Sequence, residues 1–158
     1  MAAKPQQKYF RGRFQCRLND KGRLSLPSAF RGKSESSETL IVTNSLYQGN
    51  KCLDVYSLKQ WTELEKQILK LPRLKPEVQA YQRFYMAGGL EVKIDSQSRM
   101  LIPMSLRQFA NLKEDVMIVG LGNKFEVWSE KVWSRLYENM NNNFDQIVET
   151  VSELMNEK

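Results

Sequence analysis

The stretch CRLNDKGRLSLPSAFR at residues 16–31 decides the fold, because a degenerate second copy, VKIDSQSRMLIPMSLR, occupies residues 92–107. The two copies are offset by 76 residues, and a second match at an offset of 72 aligns LDVYS at 53–57 with FEVWS at 125–129. One unit is therefore used twice, and each copy is predicted to bury its apolar face against the other. The residues that coincide in the first match are Arg23 and Arg99, Pro27 and Pro103, and Arg31 and Arg107.

Each copy begins as a predicted β-hairpin. Phe14, Cys16 and Leu18 alternate with polar or cationic residues, which is the period of a half-buried strand. Turn-forming residues follow in both copies, NDKG at 19–22 and DSQS at 95–98, and the glycine of the first turn permits a positive φ. This pattern places cations at the tips of two related hairpins: Lys21, Arg23 and Arg99.

Helices are predicted to follow the hairpins. Pro27 and Pro103 cannot extend a β-ladder, but they suit the first position of a short helix. Farther along, Ser57 and Gln60 have the spacing of a helix cap. Strands combined with helices in this order indicate the α+β class. Apolar residues recur at helical spacing over residues 58–71, 76–87, 129–140 and 144–155.

Composition excludes several kinds of catalytic site. The chain of 158 residues contains no histidine, which removes Ser-His-Asp catalysis and HExxH zinc sites. Cys16 and Cys52 cannot complete a four-ligand zinc site, and we interpret both as small buried strand residues. Asp54 and Glu126 occupy equivalent repeat positions, but carboxylates on exposed strand faces are usually solvated. We therefore predict that the protein is not an enzyme and has no catalytic residue, cofactor or metal.

Positive charge is concentrated at the start of the chain. Residues 1–33 contain nine Lys or Arg residues and a single acid, Asp20, which gives a net charge of +8, whereas the whole chain carries +6. The rest of the chain is therefore slightly acidic, at −2. A cationic face on such a body is typical of polyanion binding, and a merely solvated basic surface is the alternative interpretation.

Nothing in the sequence indicates a membrane protein. No apolar run reaches the ~18 residues of a membrane helix, and the start MAAKPQQKYF lacks the apolar stretch of a signal peptide. The basic residues lie on predicted strands and turns rather than on an amphipathic helix, which argues against binding to a membrane surface. We expect a cytoplasmic protein with no membrane partner.

The last predicted helix is strongly amphipathic. Its acidic residues lie opposite an apolar stripe, and a stripe of this kind must be buried somewhere. Packing on its own chain and packing on a neighbouring subunit both remain open. The stripe consists of Phe144, Ile147, Val148, Val151, Leu154 and Met155.

Several motifs carry a resemblance to a known family. Residues 94–107, with arginine at 99, Ile-Pro at 102–103 and Leu-Arg at 106–107, resemble the AbrB-type swapped-hairpin DNA-binding motif. The wider sequence, over residues 10–140, is similar to the MraZ family. The motifs that carry this second likeness are FRG at 10–12, DKGRLSLP at 20–27, CLDVYSLKQW at 52–61 and GLGNKFEVW at 120–128.

The resemblance implies two tandem AbrB-like swapped-hairpin units that form one pseudo-two-fold β-barrel decorated with helices. Two positions depart from the family pattern, since Asn19 replaces the usual Asp and Ser98 replaces the usual Gly. The implied segments are a flexible tail at 1–9, a first unit with two helices at 10–87, a second unit with a helix at 88–141, and a C-terminal amphipathic helix at 142–158.

The resemblance also implies a function. Members of the family are bacterial transcriptional regulators that bind short, G-rich direct repeats upstream of the operon for division and cell-wall genes, in which their own gene comes first. They assemble into rings of about eight subunits. We therefore expect a sequence-specific, nucleoid-associated regulator, acting as a repressor, whose partners are double-stranded promoter DNA and further copies of itself.

Arginine at the hairpin tips is the expected reader of DNA. Arg23 and Arg99 are predicted to reach base edges or phosphates, with Lys21 beside Arg23, because the planar arginine fork can bond guanine O6 and N7 together. Other cations of the strands are expected to touch phosphates and to set the register. These residues are Arg13, Arg17 and Lys93.

Three alternatives remain open at this point. Arg23 could pair with Asp20 or with another carboxylate across the turn rather than with DNA. Only the first copy could contact DNA, since Gln97 and Ser98 replace Lys21 and Gly22 in the second. Finally, AbrB-like folds also serve as antitoxins, in which the hairpin module binds DNA and a tail blocks a toxin. In that case the C-terminal helix would bind a different protein.

Overall fold

The computed structural model describes residues 9–31 and 38–157, and its architecture is α+β, as predicted. The strands within these ranges are β1 (Arg13–Arg17), β2 (Arg23–Ser25), β3 (Thr39–Tyr47), β4 (Asn50–Ser57), β5 (Leu90–Lys93), β6 (Arg99–Leu101), β7 (Asp115–Gly120) and β8 (Phe125–Ser129). The helices are α1 (Leu58–Leu69), α2 (Pro76–Tyr81), α3 (Met104–Phe109), α4 (Glu130–Asn142) and α5 (Phe144–Asn156), with a 3₁₀ turn at Ser28–Phe30 and a π-helical turn at Gln82–Met86.

Two expectations concern the ends of the chain and the membrane. The flexible tail predicted at residues 1–9 lies, apart from Tyr9, outside the described residues. In the described ranges, no helix has both the length and the apolar composition needed to cross a lipid bilayer.

The strands of the two copies are interleaved. Six strands form one antiparallel sheet in the order β1-β7-β8-β4-β3-β5, and β2 and β6 form a separate antiparallel ladder. Strand β1, from the first copy, pairs with β7 from the second, while β5 pairs with β3. Each copy therefore depends on the other for its strand partners, as expected of a unit that cannot bury its apolar face alone.

Equivalent residues of the two copies face each other at two places. Leu24 lies opposite Met100 in the β2–β6 ladder, and Asp54 lies opposite Glu126 between β4 and β8. Both pairs are related by the offsets of the sequence repeat. Antiparallel pairing of equivalent strands relates them by a local two-fold rotation.

Single bridges link the ladder to the larger sheet. Leu18 bridges to Leu24 within the first hairpin, and Ile94 bridges to Met100 within the second. The ladder thus lies between the two edge strands, β1 and β5, and the two sheets are linked without being continuous.

The core has one central cluster and two satellites. Both copies contribute to the central cluster, which includes the fully buried Leu24 and Met100. One satellite packs Trp61 of α1 against Tyr56 and Tyr85, and the other packs Trp133 of α4 against Trp128. Since Trp61 and Trp133 are equivalent in the repeat, each copy anchors its helix on the sheet with the same aromatic residue.

Helix boundaries follow the predicted signals with one correction. Ser57 Oγ accepts a hydrogen bond from the backbone N–H of Gln60 at 3.2 Å, which confirms the cap of α1. The predicted break between the last two helices is also confirmed, at Asn143. Pro27 and Pro103 are extended residues just before their helices, not the first helical residues, because each closes a returning strand.

A polar cluster lies where β4 meets β8. Asp54 is fully buried, and its Oδ2 accepts hydrogen bonds from the Tyr85 hydroxyl and, at 2.8 Å, from the Lys124 ammonium. The Tyr56 hydroxyl lies 2.6 Å from that of Tyr85. The prediction of solvated strand carboxylates is therefore wrong for Asp54, because β4 is buried without interruption from residue 52 to residue 56.

Glu126 lies opposite Asp54 and is half-buried. Burial raises the pKa of Glu126; the hydrogen bond from Trp128 Nε1, at 2.9 Å, opposes this shift, and the Asp54 carboxylate adds to it. Burial also disfavours the charge of Lys124, but the charge and hydrogen bond of the Asp54 carboxylate, together with Tyr56 and Glu126, outweigh burial and raise the pKa of Lys124. The cluster is therefore most stable with Glu126 protonated.

We predict that Glu126→Gln stabilises the protein at neutral pH. A carboxyl group with a raised folded-state pKa contributes its full stability below its unfolded pKa and loses it as the pH rises through the folded pKa. Glutamine keeps the acceptor for Trp128 but carries no charge. Denaturant unfolding followed by circular dichroism should show a variant that is more stable than wild type at pH 7, with a gap that closes toward pH 4. A gap independent of pH would contradict this assignment.

Candidate nucleic-acid interface

The two hairpin turns share one hydrogen-bonding scheme. Oδ1 of Asn19 accepts hydrogen bonds from the backbone N–H groups two and four positions later, at 3.0 and 2.9 Å. Oδ1 of Asp95 does the same in the second turn, at 2.9 and 2.9 Å. Asn and Asp serve equally because both offer a side-chain oxygen at this point of the turn. The two turns consequently present Arg23 and Arg99 in the same way, at the starts of β2 and β6.

Both turns need one left-handed residue. Gly22 has φ +83°, and Ser98, at the equivalent position, has φ +60°. A Cβ at Gly22 would come within 2.5 Å of Cζ of Arg107, whose Nε donates a hydrogen bond at 2.9 Å to the carbonyl five residues earlier. Arg31 makes the equivalent bond at 3.0 Å in the first copy. The coincident arginines Arg31 and Arg107 thus hold the bend after each returning strand.

One face of the β2–β6 ladder points outward. Leu24 and Met100 fill the inner face and are fully buried, so the alternating residues Arg23 and Arg99 share the opposite face. In the register, Arg99 lies opposite Ser25, two residues along β2 from Arg23. Diagonal neighbours of this kind are about 7–8 Å apart. The two predicted DNA readers are therefore adjacent.

The two arginines differ in their partners. Arg99 Nε donates to Oδ2 of Asp95 at 3.1 Å. The backbone N–H of Arg99 holds the pKa of Asp95 below its usual value, and the guanidinium adds to this effect. In the first turn the equivalent residue, Asn19, is neutral, and Arg23 makes no ion pair with any described residue. The alternative of a salt bridge across the turn therefore applies to Arg99 and not to Arg23.

The remaining predicted residues are in different surroundings. Arg17 forms an ion pair with Glu114 at 2.9 Å, with both side chains about three-quarters exposed. The Arg13 guanidinium lies over the ring of Tyr137, 4.8 Å from its centroid. Lys21 is exposed on the first turn and Lys93 is exposed on β5.

A cleft of 1390 Å³ borders the arginine face. It brings together Arg17, Arg23 and Arg99, whereas Arg13, Lys21 and Lys93 are not among the described residues that line it. Cationic side chains outnumber the carboxylates in its lining, which gives the cleft a positive potential. The cations are Arg17, Arg23, Arg99, Arg107, Lys113, Lys131 and Arg135, and the carboxylates are Asp20, Glu114, Asp115 and Glu130.

Sequence reasoning missed four cations of the cleft: Arg107, Lys113, Lys131 and Arg135. All four belong to the slightly acidic part of the chain, where the charge count gives no signal. Lys131 and Arg135 lie four residues apart on α4, and such spacing puts two side chains on one helix face. That spacing is a sequence signal that could have indicated Lys131 and Arg135.

A possible metal site lies elsewhere, in the β4–β8 cluster. Ligand atoms of Cys52, Asp54 and Glu126 lie within 4.8 Å of one another. Burial raises the pKa of the Cys52 thiol, which opposes the thiolate that a metal would need. The Lys124 ammonium already supplies the positive charge next to Asp54. Ion pairing with Lys124 therefore accounts for this cluster. Cys52 is buried, as predicted, whereas Cys16 is only half-buried.

Comparison with known proteins adds to this geometry. A family model described as "MraZ protein, putative antitoxin-like" matches residues 9–84 and 86–154. The chain belongs to the MraZ family. Proteins named "Transcriptional regulator MraZ" are 36% identical to it in Thermoanaerobacter pseudethanolicus and 38% identical in Caldicellulosiruptor saccharolyticus. Each alignment spans 143 residues, which is 90% of this chain and 96% of the relative.

The family assignment confirms the resemblance to the MraZ family. The MraZ relatives are named as transcriptional regulators and not as enzymes, in agreement with the prediction of a non-enzymatic chain. For a member of the MraZ family, the ladder face with its cationic cleft is the candidate surface for nucleic acid.

We predict that exchanging the residue types at the two left-handed positions costs much more stability at Gly22 than at Ser98. Gly22→Ser introduces a strained φ and a contact with Arg107, and should lower the free energy of unfolding by about 1–3 kcal/mol. Ser98→Gly relieves the backbone strain of the left-handed φ but increases the entropy of the unfolded chain. It should therefore change the free energy of unfolding by less than about 1 kcal/mol. Denaturant unfolding of both variants checks this. Equal losses of stability would show that the turns do not share one geometry.

Proposed function

We propose that the protein is a DNA-binding transcriptional regulator whose outward ladder face lies against duplex DNA. The observation that carries this proposal is the pairing of Arg23 and Arg99 on one exposed face beside a cleft rich in cations. Phosphate contacts supply much of the affinity of such a surface, and arginine supplies base recognition. The names of the MraZ relatives support the same function.

Arg23 is proposed as the main reader of bases. Its guanidinium makes no ion pair with a described residue, so its fork is available for O6 and N7 of guanine. Arg99 must give up or share its bond to Asp95. A separation of about 7–8 Å corresponds to roughly two base-pair steps of 3.4 Å. Together the two arginines would read two nearby guanines, which suits a G-rich site.

The other cations are proposed to bind phosphates. The ion pair between Arg17 and Glu114 is exposed and contributes little to stability, so a phosphate can replace the carboxylate. Lys131 and Arg135, on α4, also line the cleft. Lys21 lies at the tip beside Arg23. The predicted phosphate contacts Arg13 and Lys93 complete this proposed set.

We also propose that both sheets act as one pseudo-two-fold, swapped-hairpin barrel. Reciprocal backbone bonds support this, since Leu26 N–H donates to Ser98 O at 3.1 Å and Ile102 N–H donates to Gly22 O at 2.9 Å. The proposed units are residues 10–87 and 88–141, followed by the C-terminal helix at 142–158. The single bridges within each hairpin are the links between the two sheets.

The proposed target is a set of G-rich direct repeats upstream of the division and cell-wall gene cluster that includes the protein's own gene. The protein would act there as a repressor, in the cytoplasm and associated with the nucleoid. A ring of about eight chains would engage several repeats at once, and linked sites can raise affinity by ~10² to 10⁴-fold without new contacts. Repeats about 10 base pairs apart would present successive sites on one side of the duplex.

A second candidate function is that of an antitoxin-like module that holds a different protein with α5. The exposed apolar side chains of α5 and the description of the family model favour it. Purification of the tagged chain from its own cells discriminates the two. A stoichiometric small protein retained through high salt would support the antitoxin, whereas an assembly of this chain alone would support the regulator.

We predict that Arg23→Ala removes the preference for the native site. A duplex from upstream of the protein's own gene and a shuffled duplex are titrated across a salt series. Loss of a bidentate guanine contact should cost about 1–3 kcal/mol on the native duplex alone. The double variant Lys131→Ala/Arg135→Ala should weaken binding to both duplexes equally. It should also reduce the slope of log affinity against log salt concentration by about 0.9 for each lost phosphate contact. Lys59→Ala, on α1 and outside the cleft lining, is the control.

If wild type binds both duplexes equally, the proposal of a sequence-specific regulator fails. If Arg23→Ala keeps the preference while Arg99→Ala loses it, the second hairpin is the reader.

We predict that Asp95→Asn strengthens DNA binding. Asparagine keeps the oxygen that accepts both backbone bonds of the turn but frees the Arg99 guanidinium, as Asn19 does in the first copy. Asp20→Asn is the matched control, since it removes the same charge from the first turn, at the cleft that Arg23 and Arg99 both line. Affinity should rise severalfold more for Asp95→Asn than for Asp20→Asn. Equal gains would mean that only net charge matters and that Arg99 does not contact DNA.

A further inference from the structure

Helix α5 is the least covered element of the structure. Every one of its residues is exposed, and its main contacts with the body are made to α4. The apolar stripe runs along the whole helix, from Phe144, 58% exposed, to Met155, 79% exposed. Of the two alternatives left open for the stripe, packing on its own chain is therefore not observed, because the chain leaves the stripe exposed. Exposed apolar surface of this extent marks an interaction site.

A second apolar patch lies at the turn between α1 and α2, residues 69–75, which we name the basic leucine turn. It exposes Leu69 at 77%, Leu71 at 45% and Leu74 at 82%. The same seven residues include the cations Lys70, Arg73 and Lys75 and no acid. The patch is therefore apolar with a positive rim, and the chain leaves it uncovered.

The charges of the two surfaces are opposite. Residues 144–157 contain Asp145, Glu149, Glu153 and Glu157 and no Lys or Arg, a net charge of −4, against +3 on the basic leucine turn. The carboxylates lie on the far side of the helix from the stripe. A helix is only about 10–12 Å across, close to the ~8–10 Å Debye length, so these charges still act on a surface docked at the stripe.

The negative charge of α5 indicates which kind of surface can cover its apolar stripe. Two α5 helices placed face to face would bring together two surfaces of charge −4, and an anionic membrane would be repelled in the same way. A DNA duplex is excluded for the same reason. The basic leucine turn offers the complementary charge together with exposed leucines for the stripe.

We propose that α5 of one copy docks on the basic leucine turn of the next copy. Different surfaces of two identical chains meet in such a contact, so it is heterologous and propagates from chain to chain until a ring closes. This inference rests on the ring assembly of the proposed function and supplies the surfaces that form it. The DNA-binding ladder face takes no part in the contact, so each added chain adds one more arginine pair.

The test uses two variants that each break one side of the contact. Val151→Asp places a charge in the middle of the stripe, and Leu74→Asp places one on the leucine turn; both residues are exposed, so folding is preserved and is verified by circular dichroism. Leu121→Asp, at another exposed apolar position, is the control. Masses are measured by sedimentation for each chain alone and for an equimolar mixture.

Wild type and Leu121→Asp should sediment as large assemblies, and each of the two variants alone as the 18.5 kDa chain. The mixture should give a species of two chains and nothing larger, because only one intact stripe and one intact turn can meet. If the Leu74→Asp chain still pairs with itself, α5 binds α5 and the proposal is wrong. If the mixture stays monomeric, the two surfaces do not meet, which also overturns it.

The outcome separates this inference from the proposed function. If wild type is itself monomeric, the proposal of a ring is wrong, whatever the variants do. A wild-type assembly that survives both substitutions leaves the ring in place and removes only these surfaces. As a second measurement, the photo-reactive residue p-benzoylphenylalanine, placed at Leu154 of the stripe, should cross-link to residues 69–75 of a neighbouring chain. Absence of such cross-links from a chain that assembles as wild type does counts against the contact.

Discussion

The short β2–β6 ladder is the constraint on which the rest of the structure depends. Its inner face carries Leu24 and Met100, both fully buried in the central core, so the ladder cannot shift its register without exposing them. Its outer face then carries Arg23 and Arg99 by strand alternation alone. Reciprocal backbone bonds tie each returning strand to the turn of the other copy. Burial of two apolar side chains thereby fixes the positions of two arginines.

The sequence repeat gives the two turns the same backbone geometry, although their side chains differ. Asn19 and Asp95 accept the same backbone bonds, and Gly22 and Ser98 adopt the same left-handed conformation. The charge of Asp95, however, holds Arg99 in an ion pair that Arg23 lacks. The two hairpins therefore share one backbone geometry, but Arg99 is paired within its own turn whereas Arg23 makes no ion pair with a described residue. The proposed assembly would multiply such a pair along the DNA.

Much of the fold could be predicted because its signals are local. The repeat, the hairpin turns, the Ser57 cap and the amphipathic α5 are all encoded by neighbouring residues. The particular pairing of β1 with β7 could not be predicted, since it depends on contacts between residues far apart in the chain. The burial of Asp54 was missed for the same reason, because strands on both sides of β4 and the residues packed on its faces exclude solvent. The cations of α4 join the site only through folding, which brings this helix beside the hairpins.

The central claim, that Arg23 reads guanine from the ladder face, is tested most directly by methylation interference. Guanine N7 in the native duplex is methylated sparsely, the duplex is bound, and bound and free fractions are compared for wild type and for Arg23→Ala. Methylation of particular guanines should block wild type and should have no effect on Arg23→Ala at one of those positions, because the missing fork no longer uses N7 there. An identical interference pattern for both chains would show that Arg23 does not contact a base.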